Sequence, residues 1–173
     1  MQAIREKAKQ VKLMVFDVDG VLTNGQLTFT EQGEELKSFN SLDGHGIKML
    51  HQAGIETAII TGRVSHIVIK RAKDLGISHL YQGREDKLKA LQELLSETQF
   101  TLENTAYAGD DLPDLGAIRA VGLGIAVANA HPFVAKHADW QTTLAGGAGA
   151  GREICDLILD AQGHLNRLQS AYL

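Results

Sequence analysis

Asp17 and Asp19 stand two residues apart, directly after the apolar run Leu13-Met14-Val15-Phe16. That run reads as a buried strand, so two carboxylates fall where a strand ends and a glycine-bearing loop, Gly20-Val21-Leu22-Thr23, begins. In open α/β sheets, ligands bind at the carboxyl ends of the strands. Two acids placed together there repel each other unless a proton or a cation separates them. The pair suits a nucleophile and a proton donor around a hard metal ion. Three further groups follow in order. Thr61, Gly62 and Arg63 close a second apolar strand, Lys87 opens a helix, and Asp110, Asp111 and Asp114 follow Thr105-Ala106-Tyr107-Ala108-Gly109. Each alone is ordinary turn or helix-end chemistry. If the strands are parallel, all four groups meet at one edge of the sheet.

A carboxylate at Asp17 can take a phosphoryl group as an aspartyl-phosphate, which splits one hard displacement into two easier ones. Asp19 would protonate the leaving alcohol, then deprotonate the water that breaks the acyl phosphate. Lys87 would hold charge on the phosphoryl oxygens and steady Asp17. With Asp17 and Lys87, the Thr61 hydroxyl and the adjacent backbone at Gly62 would cradle the phosphate. Asp17, Asp19 and Asp110 are expected to bind the metal, with Asp111 and Asp114 acting through water or orienting the ligands. Carboxylates, a carbonyl, water and phosphate are the ligands Mg²⁺ prefers, and the histidines show no zinc-like spacing.

The elements that must position these groups are also visible. Alternation of period two over about 26–30 and 36–39, around Glu31-Gln32-Gly33-Glu34, predicts a β-hairpin insertion. Helices are expected at 2–10, from about 46 to 53, and at 65–75, 86–97, 112–120, 131–137 and 152–161. Strands are expected at 12–17, 56–61, 78–81, 104–109 and 122–127. This alternation predicts an α/β fold with a doubly wound, mainly parallel, Rossmann-like sheet in a single domain, 1–173, ending in a glycine-rich loop and tail over about 145–173. Asp17 and Thr61 are 44 positions apart, and Thr61 and Lys87 are 26 apart. Neither interval has room for a cap domain beside its βαβ elements, so a neighbouring subunit is the simplest shield for the site. The tail residues Leu165, Leu168, Tyr172 and Leu173 point the same way: they predict a symmetric oligomer in which this segment reaches a neighbour's site.

The 173 residues carry a net charge of −4, which gives no electrostatic reason to bind nucleic acid or an anionic membrane. Cys155 is the only cysteine, so no intrachain disulfide forms. No apolar run approaches bilayer length and no secretory signal is evident, so a reducing cytoplasm is the expected compartment.

The motifs carry a resemblance. Asp17-x-Asp19-Gly-Val-Leu-Thr, Thr61-Gly62-Arg63, Lys87 and Gly109-Asp110-Asp111-x-x-Asp114 are similar to the four signature motifs of the haloacid dehalogenase superfamily, in the same order. The second Asp of the first motif resembles the phosphatase branch. More closely, residues 17–25, 37–48 and 146–153 resemble the 3-deoxy-D-manno-octulosonate 8-phosphate phosphatase family. That resemblance implies a cytoplasmic, Mg²⁺-dependent homotetramer that releases the free eight-carbon sugar acid for lipopolysaccharide synthesis. It also implies that the glycine-rich loop and C-terminal segment help cover a neighbour's active site.

A sugar acid carries a carboxylate remote from its phosphate. Arg63 is the best-placed partner for it, with Arg152 as a second candidate from a neighbour. The segment Leu42-Asp43-Gly44-His45-Gly46, framed by two glycines, reads as a loop whose Asp43 and Gly44 are candidates to line the substrate site. Asn24 stands where family members usually have Asp, and Ala148 where they often have a basic residue. A nine-carbon keto-sugar acid phosphate therefore stays open as the substrate. A phosphate-accepting receiver module shares the residue types, but its acidic pair precedes the acceptor, the reverse of the order here. A non-catalytic binding subunit is disfavoured because no key position is substituted.

Overall fold

The computed structural model describes residues 1–173. The chain opens with α1 (Gln2–Lys9) and β1 (Leu13–Phe16), then forms a hairpin of β2 (Thr28–Phe29) and β3 (Glu35–Leu36). Next come α2 (Ser41–Gln52), β4 (Glu56–Ile60), α3 (His66–Leu75), β5 (His79–Tyr81), α4 (Lys87–Ser96) and β6 (Thr105–Gly109). The last part holds α5 (Leu112–Ala120), β7 (Leu123–Ala126), α6 (Pro132–His137), β8 (Trp140–Gln141), α7 (Ala150–Ala161) and α8 (Leu165–Ser170).

Six strands form one sheet in the order β5-β4-β1-β6-β7-β8, and every neighbouring pair is parallel. All residues of β1, β6 and β7 are buried, as expected for parallel strands covered on both faces. From β1 the chain steps outward to β4 and β5, then returns across the sheet to β6 and continues to β7 and β8. Right-handed crossovers put α2 and α3 on one face and α4, α5 and α6 on the other. Helix α7 joins the first face, packed against α1 and α2. The reversal between β1 and β6 opens a crevice at their carboxyl ends, the usual ligand position in such a sheet.

The doubly wound parallel sheet is thus present, with three differences in detail. The hairpin strands are two residues each, shorter than the alternation suggested. An extra edge strand, β8, follows α6; its two residues are too few to leave a periodic trace. Helix α2 begins at Ser41, not near Gly46, so the expected 42–46 loop is the helix's first turns. Asn40 caps it by accepting from the Leu42 N–H at 2.8 Å. Glycine inside a helix costs about 1 kcal/mol against Ala. Here a Cβ on Gly46 would press on Arg152 and Cys155 of α7, so the glycine permits the close α2–α7 contact. The tail folds back on its own chain as α8: Leu168 is buried and Leu165 packs at the core edge, while Tyr172 and Leu173 stay exposed.

Candidate active site

Asp17 follows β1, Thr61 follows β4, Asp110 follows β6, and Lys87 is the first residue of α4. With Asp19, Gly62, Arg63, Asp111 and Asp114 they line one cavity of about 430 Å³ that has no hydrophobic residue in its wall. A Cβ on Gly20, whose φ is +97°, would overlap the Asp110 carboxylate, so a glycine is required for the loops after β1 and β6 to meet.

Asp114, fully buried in the first turn of α5, organises the floor. Its Oδ1 accepts from Lys87 Nζ at 2.6 Å and from Tyr107 Oη at 2.9 Å. Its Oδ2 accepts from the Asp110 and Asp111 N–H groups, both at 3.1 Å. An ionised carboxylate offers about four acceptor positions, and these four donors fill them. Asp114 is therefore occupied in orienting Lys87 and the Asp110–Asp111 turn. Asp111 caps α5 by accepting from the Leu112 N–H at 2.8 Å.

Lys87 Nζ also forms an ion pair with Asp17 Oδ1 at 3.0 Å, and this buried oxygen has no other donor. Burial first, then the Asp114 charge, pushes the Asp17 carboxyl up to about 8, against the pull of Lys87. The same two causes push Asp110 to about 6. Burial opposes the Lys87 ammonium, but Asp17 and Asp114 outweigh it and raise its pKa.

Carboxylate oxygens of Asp17, Asp110 and Asp114 lie within 4.8 Å of one another. With Asp114 saturated, Asp17 and Asp110 are the two with capacity to spare. The cavity wall carries six carboxylates (Asp17, Asp19, Glu85, Asp110, Asp111 and Asp114) against Arg63 and Lys87. An anionic ester enters such a site only if positive charge comes with it. A hard divalent cation on oxygen ligands fits that need and the crowding of the Asp17 and Asp110 carboxylates.

The Asp19 carboxylate turns toward the hairpin instead, where Lys37 donates to its Oδ1. Arg63 Nε is 3.7 Å from its Oδ2. Glu35 Oε1 joins the two bases, 3.1 Å from Lys37 Nζ and 2.8 Å from Arg63 Nη2. Burial opposes the Glu35 charge, but Ser65 first, then Arg63 and Lys37, outweigh it and hold its carboxyl down at about 2.

A family model described as haloacid dehalogenase-like hydrolase matches residues 79–153. The 3-deoxy-D-manno-octulosonate 8-phosphate phosphatase KdsC of Escherichia coli K12 is 50% identical over 160 residues, 92% of this chain and 85% of that protein. The crystal structure of the phosphatase of that name from Moraxella catarrhalis, in complex with magnesium ion, phosphate ion and a KDO molecule, is 47% identical with a TM-score of 0.98. It covers 100% of this chain and 99% of its own. The chain belongs to the 3-deoxy-D-manno-octulosonate 8-phosphate phosphatase family. A probable YrbI family phosphatase from Pseudomonas syringae is 59% identical, with a TM-score of 0.98 over 99% of this chain and 98% of that one.

Within this family member, Asp43, Gly44 and Arg152 do not line the 430 Å³ cavity. Asp43 is buried between α2 and α7, where its Oδ1 accepts from the Arg152 N–H at 2.8 Å. Burial raises its pKa, partly offset by that hydrogen bond. Gly44 leaves room for Arg71, and the Arg152 side chain donates to Asp156 at 2.7 Å. The early start of α2 turns Asp43 toward α7 and Gly44 toward Arg71 of α3, while Arg152 lies on α7 itself. The glycine-rich loop packs on its own chain's first-motif loop: Gly147 N donates to Val21 O at 3.1 Å, and Asn129 bridges Gly146 N and Gly20 O. A Cβ on Gly146 would overlap the Gly20 carbonyl.

Tyr107, Glu35 and Lys37 are the site residues that motif spacing missed. Tyr107 left one signal, a polar-tipped aromatic inside an otherwise small-residue strand.

Proposed function

We propose that this chain is a Mg²⁺-dependent phosphomonoesterase that hydrolyses 3-deoxy-D-manno-octulosonate 8-phosphate to the free sugar acid and inorganic phosphate, for lipopolysaccharide precursor synthesis. One observation carries the reading: a buried Asp17 carboxylate, its Oδ1 3.0 Å from Lys87 Nζ, in a cavity lined by six carboxylates and two bases at the sheet's switch point. The full-length match to the Moraxella catarrhalis protein in complex with magnesium, phosphate and KDO supports the substrate class.

Asp17 is the nucleophile. Its free carboxylate oxygen bonds to phosphorus as the ester P–O bond breaks, and Asp19 passes a proton to the departing alcohol oxygen. Water then attacks the aspartyl-phosphate, returns a proton to Asp19, and inorganic phosphate leaves Asp17 as a carboxylate. Lys87 holds charge on the phosphoryl oxygens, and Thr61 and Gly62 complete the cradle. Mg²⁺ would be held by Asp17, Asp110 and the Asp19 backbone carbonyl, which accepts no hydrogen bond in the structure, and would neutralise charge between carboxylates and phosphate. Asp111 acts through water, and Asp114 orients Lys87 and Asp110. Arg63, at the cavity wall, receives the sugar-acid carboxylate.

The working form is a homo-oligomer, most simply a tetramer, in the cytoplasm. Half-exposed Leu27, Phe29 and Leu36 on the hairpin and exposed Tyr172 and Leu173 on the tail support subunit contact. No helix is long and apolar enough to cross a membrane.

Phosphate release over a panel of eight- and nine-carbon sugar-acid phosphates, hexose phosphates and nucleotides tests the reading. The eight-carbon ester should be preferred, with activity lost in chelator, restored by Mg²⁺ and poorly supported by Ca²⁺, whose looser coordination misplaces the phosphoryl oxygens. Preference for a nine-carbon ester would reassign the substrate. Full activity without metal would overturn the mechanism.

A further inference from the structure

We propose that Lys37 is a positioning residue for Asp19: the hairpin lysine fixes the acid/base carboxylate by one oxygen and leaves the other free to carry the proton. The inference rests on the phosphomonoesterase reading above and extends it to a residue outside the four motifs.

The hairpin buries the wrong kind of residue for a surface ribbon. Phe29 and Leu36 are 52% and 54% exposed, whereas the Lys37 side chain next to them is 2% exposed. Lysine is almost never buried this deeply unless it is paired. Lys37 is paired twice, with Asp19 Oδ1 and with Glu35 Oε1 at 3.1 Å. Glu35 also holds Arg63 at 2.8 Å, and Arg63 returns to within 3.7 Å of Asp19 Oδ2. Two acids and two bases thus close a ring of balanced charge across three segments: the loop after β1, the hairpin, and the loop after β4.

Lys37 is the only side-chain or backbone donor hydrogen-bonded to the Asp19 carboxylate. Arg63 Nε, 3.7 Å from Oδ2, adds charge but lies beyond hydrogen-bond distance. Oδ2 is therefore the oxygen available for proton transfer. Glu35 shares the lysine charge, so the tether does not depend on Asp19 as sole counter-ion. A proton carrier works only when held within reach of the oxygen it serves.

In the first chemical step the Asp17–phosphorus bond forms, the phosphorus–oxygen bond of the ester breaks, and the Asp19 proton moves to the departing oxygen. An alkoxide needs that proton. A p-nitrophenolate leaves as a stable anion and hardly does. The predicted signature is dependence on the leaving group.

The test compares kcat/KM, which reports steps up to leaving-group departure, for wild type, Lys37→Met and Lys37→Arg with Mg²⁺. The substrates are 3-deoxy-D-manno-octulosonate 8-phosphate and p-nitrophenyl phosphate. Lys37→Met should lose about 100-fold on the sugar ester and less than about 5-fold on the aryl ester. Lys37→Arg, which keeps donor and charge, should bring the ratio of the two back toward wild type. If the Met variant does not fold, Lys37→Gln is read in its place, with retained aryl-ester turnover as the sign of an intact fold. Equal losses on both esters, or no loss on the sugar ester, would overturn the positioning role. A wild type inactive on both esters would instead refute the hydrolase reading itself.

Discussion

Replacing Asp17 by Asn should destroy turnover and yet stabilise the metal-free protein. Asp17 is 4% exposed and its Oδ1 lacks a hydrogen-bond partner. Burial, followed by the Asp114 charge, raises its pKa from 3.8 to about 8. The unfolded chain releases this proton near pH 4, whereas the folded chain keeps it until near pH 8. Between those values the folded state holds the extra proton, so stability falls as pH rises, by about 1.4 kcal/mol per pH unit for one group. Over the roughly three units up to pH 7 the loss reaches about 4 kcal/mol. Asn carries no charge and escapes it, while Lys87 keeps Asp114 at 2.6 Å. Allowing half of the figure for imperfect accommodation of the amide leaves a gain of about 2 kcal/mol, or about 4–8 °C in Tm for a chain of this size. Thermal unfolding in chelator at pH 7 and pH 5 measures it. The variant should melt above wild type at pH 7, with a smaller gap at pH 5 and at least about 100-fold less activity with Mg²⁺. A variant that melts below wild type at pH 7, or a gap that does not narrow at pH 5, would refute the reasoning.

Tyr107→Phe removes one of the four donors on Asp114 and should lower stability by about 1 kcal/mol and also reduce kcat; an unchanged Tm and kcat would deny Asp114 its anchoring role. Mg²⁺ should raise the Tm of wild type by selective binding to the folded state and have a much smaller effect on Asp110→Asn; equal shifts would place the cation elsewhere. Arg63→Ala should damage turnover of the sugar-acid phosphate far more than that of p-nitrophenyl phosphate. Equal losses there would assign Arg63 to phosphate binding or to the ring it shares with Glu35 and Asp19.

The parallel sheet and the four strand-end groups were legible because apolar runs and the polar residues ending them are local features. Asp17, Thr61, Lys87 and Asp110 share one cavity wall for that reason. The start of α2 was hidden by Gly44 and Gly46, which read locally as loop residues. Their place in a helix depends on packing against α7 and Arg71, contacts from more than twenty residues away. Asp43 followed the same error and turned out to cap α7. Alternation along a strand does not say which charge a distant loop will cover, so it could not single out Lys37 and Glu35. The saturation of Asp114 was equally out of reach, because Tyr107 and Lys87 reach it from β6 and α4.

The most direct test of the chemistry is to look for phosphate on Asp17. Asp19→Asn, which retains the nucleophile but lacks the base for the second step, is mixed with p-nitrophenyl phosphate, whose leaving group needs no proton, and Mg²⁺, then quenched in acid and digested for mass spectrometry. An acid-stable, base-labile phosphate adduct on the peptide that carries Asp17, absent from the Asp17→Asn protein, is the predicted result. Release of inorganic phosphate by the wild type with no adduct in any variant, or an adduct on another residue, would contradict Asp17 as the nucleophile.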